Sequence, residues 1–397
     1  MTKILFLVAD GMGDWPLEEL GNKTPLEVAE TPALDELAKK SRLGLCQTIP
    51  QGMPPGSDIA NMALLGYNPA VYHTGRGPIE AAAQGLELNT DDLVWRCNLV
   101  TLTGLGQEDK MIDYAAGHLE TDQATSLIHG LRKINKNSEF VFYPGVQYRH
   151  LLVQKNGMLT KAADMHIRPP HDILGESIWP DILSFQEYPA LWELVSKAYE
   201  FLTTSDNPTQ ATSIWPWGQG RPLSLPAFSD KFNLKGGVIS AVDLIKGLGR
   251  AAGLSVIDVP GATGLLDTNY AGKVASTLKF LENGDFIFVH LEGPDECGHM
   301  GNVQDKIEAI KRFDQLIVAP ILQSLKGEDF TLVVCCDHLT PIAKRTHVSE
   351  PVPFLIYNSQ KEVQGENVFS EKTAKKTGLF IEKGYELLNS VIGSKRL

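Results

Sequence analysis

The chain has 397 residues, 43% hydrophobic and 21% charged, an ordinary globular composition on more length than a single core usually supports. Two domains, or one core with a large insertion, are therefore expected. Acidic residues outnumber basic ones for a net charge of −12, and there is no long basic run. This excludes nucleic acid as an expected partner but allows a small phosphorylated metabolite held by local arginines and a metal.

The first apolar run reads as a buried strand, Lys3–Ala9, followed by an acid and glycines rather than a signal-peptide cleavage site. No later run approaches the ~18 apolar residues of a membrane span. Cys46, Cys97, Cys297, Cys335 and Cys336 are odd in number and lack C-x-x-C spacing, which predicts reduced thiols in a cytoplasm. Thr31 and Pro32 supply an N-cap and an N1 proline for a helix through about Lys40. Extended runs at Glu139–Tyr143 and Arg149–Gln154, with Pro- and Gly-rich turns, mark an inserted domain from Arg76 to Ser205; Thr203–Thr212 reads as a linker back to the core. The last third alternates strand and helix: Gly237–Ala241, helix Val242–Ala252, Leu254–Val259, helix Asn269–Leu281, Asp285–Leu291, helix Val303–Leu325, Thr331–Cys336 and Pro353–Tyr357. Such alternation predicts a parallel sheet flanked by helices.

Four segments place hard ligands or a nucleophile beyond a strand or at a helix start, the edge where sites form in open α/β sheets. Asp10 follows the first strand in V-A-D-G-M-G-D, a sequence that also suits a solvated turn. Ser57, in P-P-G-S-D-I-A-N, opens a helix; it is either an N-cap or a nucleophile whose hydroxyl is activated by a metal. Asp295 and His299, in H-L-E-G-P-D-E-C-G-H, are four apart and share one face of a helical turn. Asp337 and His338 end a strand in V-V-C-C-D-H-L-T-P, and His347 follows. Asp10, Ser57, Asp337 and His338 form one expected group, and Asp295, His299 and His347 another. Two divalent cations about 4 Å apart, sharing one nucleophile, suit phosphoryl transfer. Mixed oxygen and imidazole donors favour manganese or zinc over calcium.

These segments, with G-R-G-P-I-E-A, R-C-N-L-V-T and P-G-A-T-G-L-L-D-T-N-Y, occur in an order that resembles the cofactor-independent phosphoglycerate mutases, archaeal-type branch, of the alkaline phosphatase superfamily. The resemblance spans nearly the whole chain. It implies an α/β fold: an alkaline phosphatase-like core with a mostly parallel sheet, residues 1–75 and 206–397, and an inserted smaller α+β substrate-binding domain, residues 76–205. It implies interconversion of 3-phosphoglycerate and 2-phosphoglycerate through phospho-Ser57, with two divalent metals and no 2,3-bisphosphoglycerate. The seven residues grouped above match the family's metal and nucleophile positions. Arg76, Arg96, Asn98, His118, Arg149 and Lys273 are the candidate substrate contacts. Arg96 and Arg149 lie in the insertion, where a carboxylate or phosphate needs bidentate donors, although a lone arginine also suits an exposed strand.

His118 stands where the resemblance leads one to expect arginine, and Ser213–Gly220 is unusually rich in tryptophan. Both features are similar to a subgroup read as homoserine kinases, which leaves a homoserine kinase-like phosphotransferase as the alternative. No G-x-x-x-x-G-K-[ST] loop is present, which argues against a nucleotide site of that kind but not against one on this core. A plain phosphatase and a non-catalytic binding protein rank lower. Nothing in the sequence specifies an oligomeric state.

Overall fold

The computed structural model describes residues 2–204 and 206–393. The chain divides into a core unit, Met1–His73 with Ser224–Leu397, and an inserted unit, Thr74–Leu223. The strands of the first core segment are β1 (Lys3–Ala9) and β2 (Arg42–Cys46). Those of the insertion are β3 (Leu93–Leu102), β4 (Met111–Asp113), β5 (Phe140–Tyr143), β6 (Arg149–Gln154) and β7 (Ser213–Gly220). The core resumes with β8 (Gly236–Ile239), β9 (Ser255–Val256), β10 (Phe286–Leu291), β11 (Phe330–Cys335), β12 (Val352–Asn358) and β13 (Phe380–Ile381).

The core sheet has the order β13-β2-β12-β11-β1-β10-β8-β9 and is mostly parallel, with antiparallel pairing on both sides of β12. β1, β10 and β11 are buried almost throughout, as their continuous apolar runs require of strands covered on both faces. They are adjacent and parallel, with Val8 beside both His290 and Cys335. Their carboxyl ends therefore emerge together, and Asp10, the turn after Leu291 and Asp337 leave the sheet side by side. Among the described residues no helix is long and apolar enough to cross a membrane.

In the insertion β3 is central, pairing with β4, β6 and β7. Its core gathers Trp95, Phe142, Phe185, Ile214 and Trp215. The expected end of this domain, Ser205, lies outside the described residues, and the compact unit runs on to Leu223 because β7 pairs with Val94–Val100. The proline and glycines of S-I-W-P-W-G-Q-G obscure that strand, but an edge strand tolerates a proline that donates no ladder hydrogen bond.

Three local expectations also change. The strand expected at Leu254–Val259 is reduced to Ser255–Val256. The helix starting after Thr31 spans Pro32–Ala38, and the Thr31 side chain does not cap it; the Asp314 carboxylate accepts instead from the Ala33 and Leu34 N–H groups at 3.2 and 2.7 Å. The long helix from Val303 passes through a π turn, Asp314–Val318, before resuming at Ala319–Ser324. Pro320 has no N–H to bond back to Leu316, and the wider turn absorbs that loss.

Behind the carboxyl edge lies a fully buried ion pair. Lys306 Nζ donates to Asp14 Oδ2 at 2.7 Å, Thr340 O at 2.8 Å and Gly13 O at 3.2 Å, so all three ammonium protons are used. This clamp ties the loop after β1 to the loop after β11. Removing one partner strands the other charge, so Lys306→Met is expected to cost about 3–5 kcal/mol of core stability, with partial recovery in the Lys306→Met/Asp14→Leu double variant. Denaturant unfolding of both variants checks this; wild-type stability in Lys306→Met would contradict it.

Candidate metal centre and nucleophile

Asp10 follows β1, and its backbone N–H is held by Leu291 O at 2.8 Å. Gly11, at φ +61°, donates its N–H to Asp337 Oδ1 at 3.1 Å. A Cβ there would fall 2.6 Å from both Asp295 Oδ1 and Thr340 Oγ1, so glycine is required twice over, by conformation and by space. The helix Gly293–Met300 starts two residues beyond β10 and sets Asp295 and His299 one turn apart, with Oδ2 and Nε2 at 3.2 Å. The Leu339–Val348 bridge brings the loop after β11 back so that His347 Nε2 lies 3.4 Å from Asp295 Oδ1 and 2.9 Å from His299 Nε2.

The ligand atoms of Asp10, Asp337 and His338 lie within 4.8 Å of one another, and so do those of Asp295, His338 and His347. His338 thus stands between the two sets rather than in one of them, with its ring centroid 3.9 Å from that of His347. Ser57 is the first residue of the helix Ser57–Leu64, with Gly56 at the cap, so its side chain is not spent on capping. Its Oγ is 3.0 Å from His338 Nε2. All seven residues singled out for metal and nucleophile roles meet in one cluster.

Its charges are poorly balanced within the protein. Burial, followed by the Asp337 and Asp295 carboxylates, pushes Asp10 well above the usual carboxylate range. Burial alone would raise Asp295 and Asp337 too, but the neighbouring imidazoles hold both below it: His299 and His347 at Asp295, His338 at Asp337. The hydrogen bond to Asp295 raises His299 to about 9. Asp10 Oδ1 is buried with no hydrogen-bond partner among the described residues. Clustered carboxylates, imidazole nitrogens facing one another and an open carboxylate oxygen fit divalent cations with mixed oxygen and nitrogen donors.

Sequence reasoning missed three supporting residues. Asn61 Nδ2 donates to Asp337 Oδ2 at 2.8 Å and to Ser57 O at 2.9 Å; its position four after Ser57 on one helix was a usable signal. Thr340 Oγ1 donates to Asp295 Oδ1 and lies 3.2 Å from His338 Nδ1. His290, inside an apolar strand, sits with Nε2 3.0 Å from Asp10 Oδ2.

The candidate substrate residues separate by unit. Lys273 belongs to the core unit, where burial pushes it down to about 8 and its ammonium donates to His290 O at 3.0 Å. In the insertion, buried Arg96 pairs with Glu80 at 3.1 Å and stacks 4.5 Å from the Trp217 ring centroid. Asn98 accepts from Trp217 Nε1 at 3.0 Å and donates to Tyr114 O at 3.2 Å. Arg149, opposite Asn98 on β6, donates to the Tyr148 hydroxyl at 3.1 Å. Arg76 opens the helix Arg76–Ala83 and, like Arg149, repels the Arg96 charge. His118, at φ +56°, lies against Tyr114 and Tyr148. His171, which sequence reasoning did not single out, packs on Trp217 and Tyr114 beside these arginines.

A hydroxyl at a helix N-terminus, beside clustered carboxylates and imidazoles at the carboxyl edge of a parallel sheet, is the kind of arrangement from which metal-assisted group-transfer centres are built. Comparisons give the family. Residues 38–207 match the family profile of 2,3-bisphosphoglycerate-independent phosphoglycerate mutase. The enzyme of that name from Methanosarcina barkeri is 43% identical over 99% of this chain and 100% of its own, and a probable one from Geobacter sulfurreducens is 42% identical over 98% and 99%. Among solved structures, a Pyrococcus horikoshii protein superposes with TM-score 0.82 at 28% identity, covering 99% of this chain and 97% of its own. The cofactor-independent phosphoglycerate mutase of Thermoplasma acidophilum gives TM-score 0.67 at 26% identity, covering 99% and 100%. The chain belongs to the 2,3-bisphosphoglycerate-independent phosphoglycerate mutase family.

Elemental analysis of the purified, manganese-loaded protein is expected to find two metals per chain. His299→Ala or Asp295→Ala is expected to empty one site, while Asp337→Asn weakens the other. A stoichiometry near one in the fully active wild type would refute the two-site assignment.

Proposed function

We propose that this protein interconverts 3-phosphoglycerate and 2-phosphoglycerate through phospho-Ser57, in a cytoplasm and with two divalent cations, manganese or zinc. The observation that carries this reading is the Ser57 hydroxyl 3.0 Å from His338 Nε2, beside both ligand sets, in a chain that is 43% identical to a mutase over nearly its whole length. Asp10, Asp337 and His338 would hold one cation, and Asp295, His299 and His347 the other. Cations held there would neutralise charge on phosphoryl oxygens and lower the pKa of the serine hydroxyl. Ser57 Oγ bonds to phosphorus and gives up its proton as the bond between phosphorus and the substrate oxygen breaks, and that departing oxygen takes up a proton to become a hydroxyl of glycerate. Glycerate then presents its other hydroxyl, whose oxygen bonds to phosphorus and loses its proton as the bond to Ser57 Oγ breaks and the serine hydroxyl is reprotonated. The helix N-terminus stabilises the negative charge throughout.

Glycerate must be kept from diffusing away while phospho-Ser57 waits. The insertion's arginines, Arg96 and Arg149 above all, are the proposed grip on its carboxylate through charge-assisted hydrogen bonds. His118, exposed in an aromatic cluster where arginine is expected, favours one second reading: transfer to homoserine from a nucleotide. Incubation with manganese and 3-phosphoglycerate, and separately with homoserine plus ATP, decides between them; the account expects 2-phosphoglycerate from the first and no phosphohomoserine from the second.

Ser57→Ala is expected to abolish transfer with fold and metal content retained, and mass analysis of substrate-treated wild type is expected to show phosphate on the Ser57 peptide. Turnover in Ser57→Ala would sink the nucleophile assignment. Arg149→Ala or Arg96→Ala is expected to lower mutase turnover far more than formation of phospho-Ser57, and to raise the release of free phosphate relative to 2-phosphoglycerate. Unchanged turnover and partitioning in both variants would remove the arginines from the substrate site.

A further inference from the structure

His290 lies inside β10, 1% exposed, in a strand otherwise made of apolar residues. A buried imidazole in such a place needs partners for both nitrogens. Nδ1 is 3.2 Å from the Ser240 hydroxyl oxygen, and Nε2 is 3.0 Å from Asp10 Oδ2. Ser240, itself buried, follows β8, and its Oγ accepts the Val242 N–H at 3.0 Å. With that acceptance made, the hydroxyl proton is available to His290 Nδ1, and a neutral ring that accepts at Nδ1 carries its own proton on Nε2. The Nε2–H then lies beside the Asp10 carboxylate, although not along the line of a formed hydrogen bond: neither Nε2 nor Asp10 Oδ1 has a hydrogen-bond partner among the described residues. A buried donor left unpaired is costly, and Asp10 Oδ2 is the acceptor beside it. Lys273 Nζ, on His290 O at 3.0 Å, fixes the same residue from its backbone.

We propose that His290 is a positioning residue for Asp10. Its Nε2–H holds Oδ2, leaving Oδ1 to the cation, and Ser240 selects the tautomer that makes this possible. The inference rests on the reading of Asp10, Asp337 and His338 as a cation site. Histidine acts here on a carboxylate ligand much as carboxylates act on histidine ligands elsewhere: the outer partner fixes which atom of the ligand is free and where it points.

The test is calorimetric titration of the metal-stripped, full-length protein with manganese chloride, in wild type and in a His299→Ala background where the Asp10 set is read alone. His290→Leu is expected to weaken that site by about 10–100-fold. His290→Gln, which keeps an N–H donor at similar reach, is expected to stay within about threefold of the parent, well short of that outer-partner loss. Ser240→Ala is expected to weaken the site and Ser240→Thr to restore it, a pattern that loss of packing does not produce. Circular dichroism checks that each variant is folded; should His290→Leu fail that check, the Ser240 pair decides alone. Parent-like affinity in His290→Leu, or in Ser240→Ala, overturns the inference. Equal losses in His290→Leu and His290→Gln also overturn it, by making the ring nitrogen itself a ligand. A wild type that binds no manganese refutes the cation reading beneath it, an outcome distinct from wild-type binding that His290→Leu leaves unchanged.

Discussion

Three carboxylates, Asp10, Asp295 and Asp337, are buried within reach of one another where β1, β10 and β11 end, and the rest of the core unit is organised around keeping them there. Carboxylates cannot be gathered away from water without compensation: each must be protonated, paired or bound to a cation. The chain supplies part of this itself. Gly11 N–H and Asn61 take the two oxygens of Asp337, Thr340 and the imidazoles take those of Asp295, and Asp10 keeps one oxygen without a hydrogen-bond partner among the described residues. That incomplete neutralisation, in the sheet position where sites usually form, is the physical argument for cations.

The same constraint explains features that look unrelated. Parallel pairing of β1 with both β10 and β11 brings three ligand-bearing turns to one edge. The Lys306–Asp14 pair, walled off from water, ties two of those turns together through Gly13 O and Thr340 O. Such a pair adds little stability compared with apolar packing, but it specifies one arrangement of loops that must carry ligands accurately. His338 lies between the two candidate ligand sets and beside Ser57 Oγ, so the Ser57 hydroxyl and both sets share one side chain.

The residues proposed as metal ligands and nucleophile could be picked out because each sits at a punctuation point of the sequence: an acid after an apolar strand, a serine after P-P-G, a D-x-x-x-H turn. Chain order and strand type followed from continuous apolar runs. What stayed hidden depends on partners distant in sequence. His290 and Lys306 occupy places where pattern alone reads packing, and their meaning comes from Asp10 and Asp14, some 280 and 292 residues away. β7 was not anticipated as a strand, because its proline and glycines suit only an edge, which cannot be known before β3 is placed. Thr31 matched a capping signal, yet a carboxylate from a remote π turn took the N–H groups instead. In the insertion, the clustering of Arg96, Arg149 and His118 with Tyr114, Tyr148 and Trp217 follows from sheet register, which single-residue reasoning does not supply.

The central claim is that this carboxylate cluster is completed by two cations that flank His338. Anomalous diffraction at the manganese edge, from crystals of the wild type grown with manganese, tests it most directly. The account predicts two anomalous peaks, one among Asp10, Asp337 and His338 and the other among Asp295, His299 and His347, both beside Ser57. A single peak, or peaks away from these side chains, would contradict it.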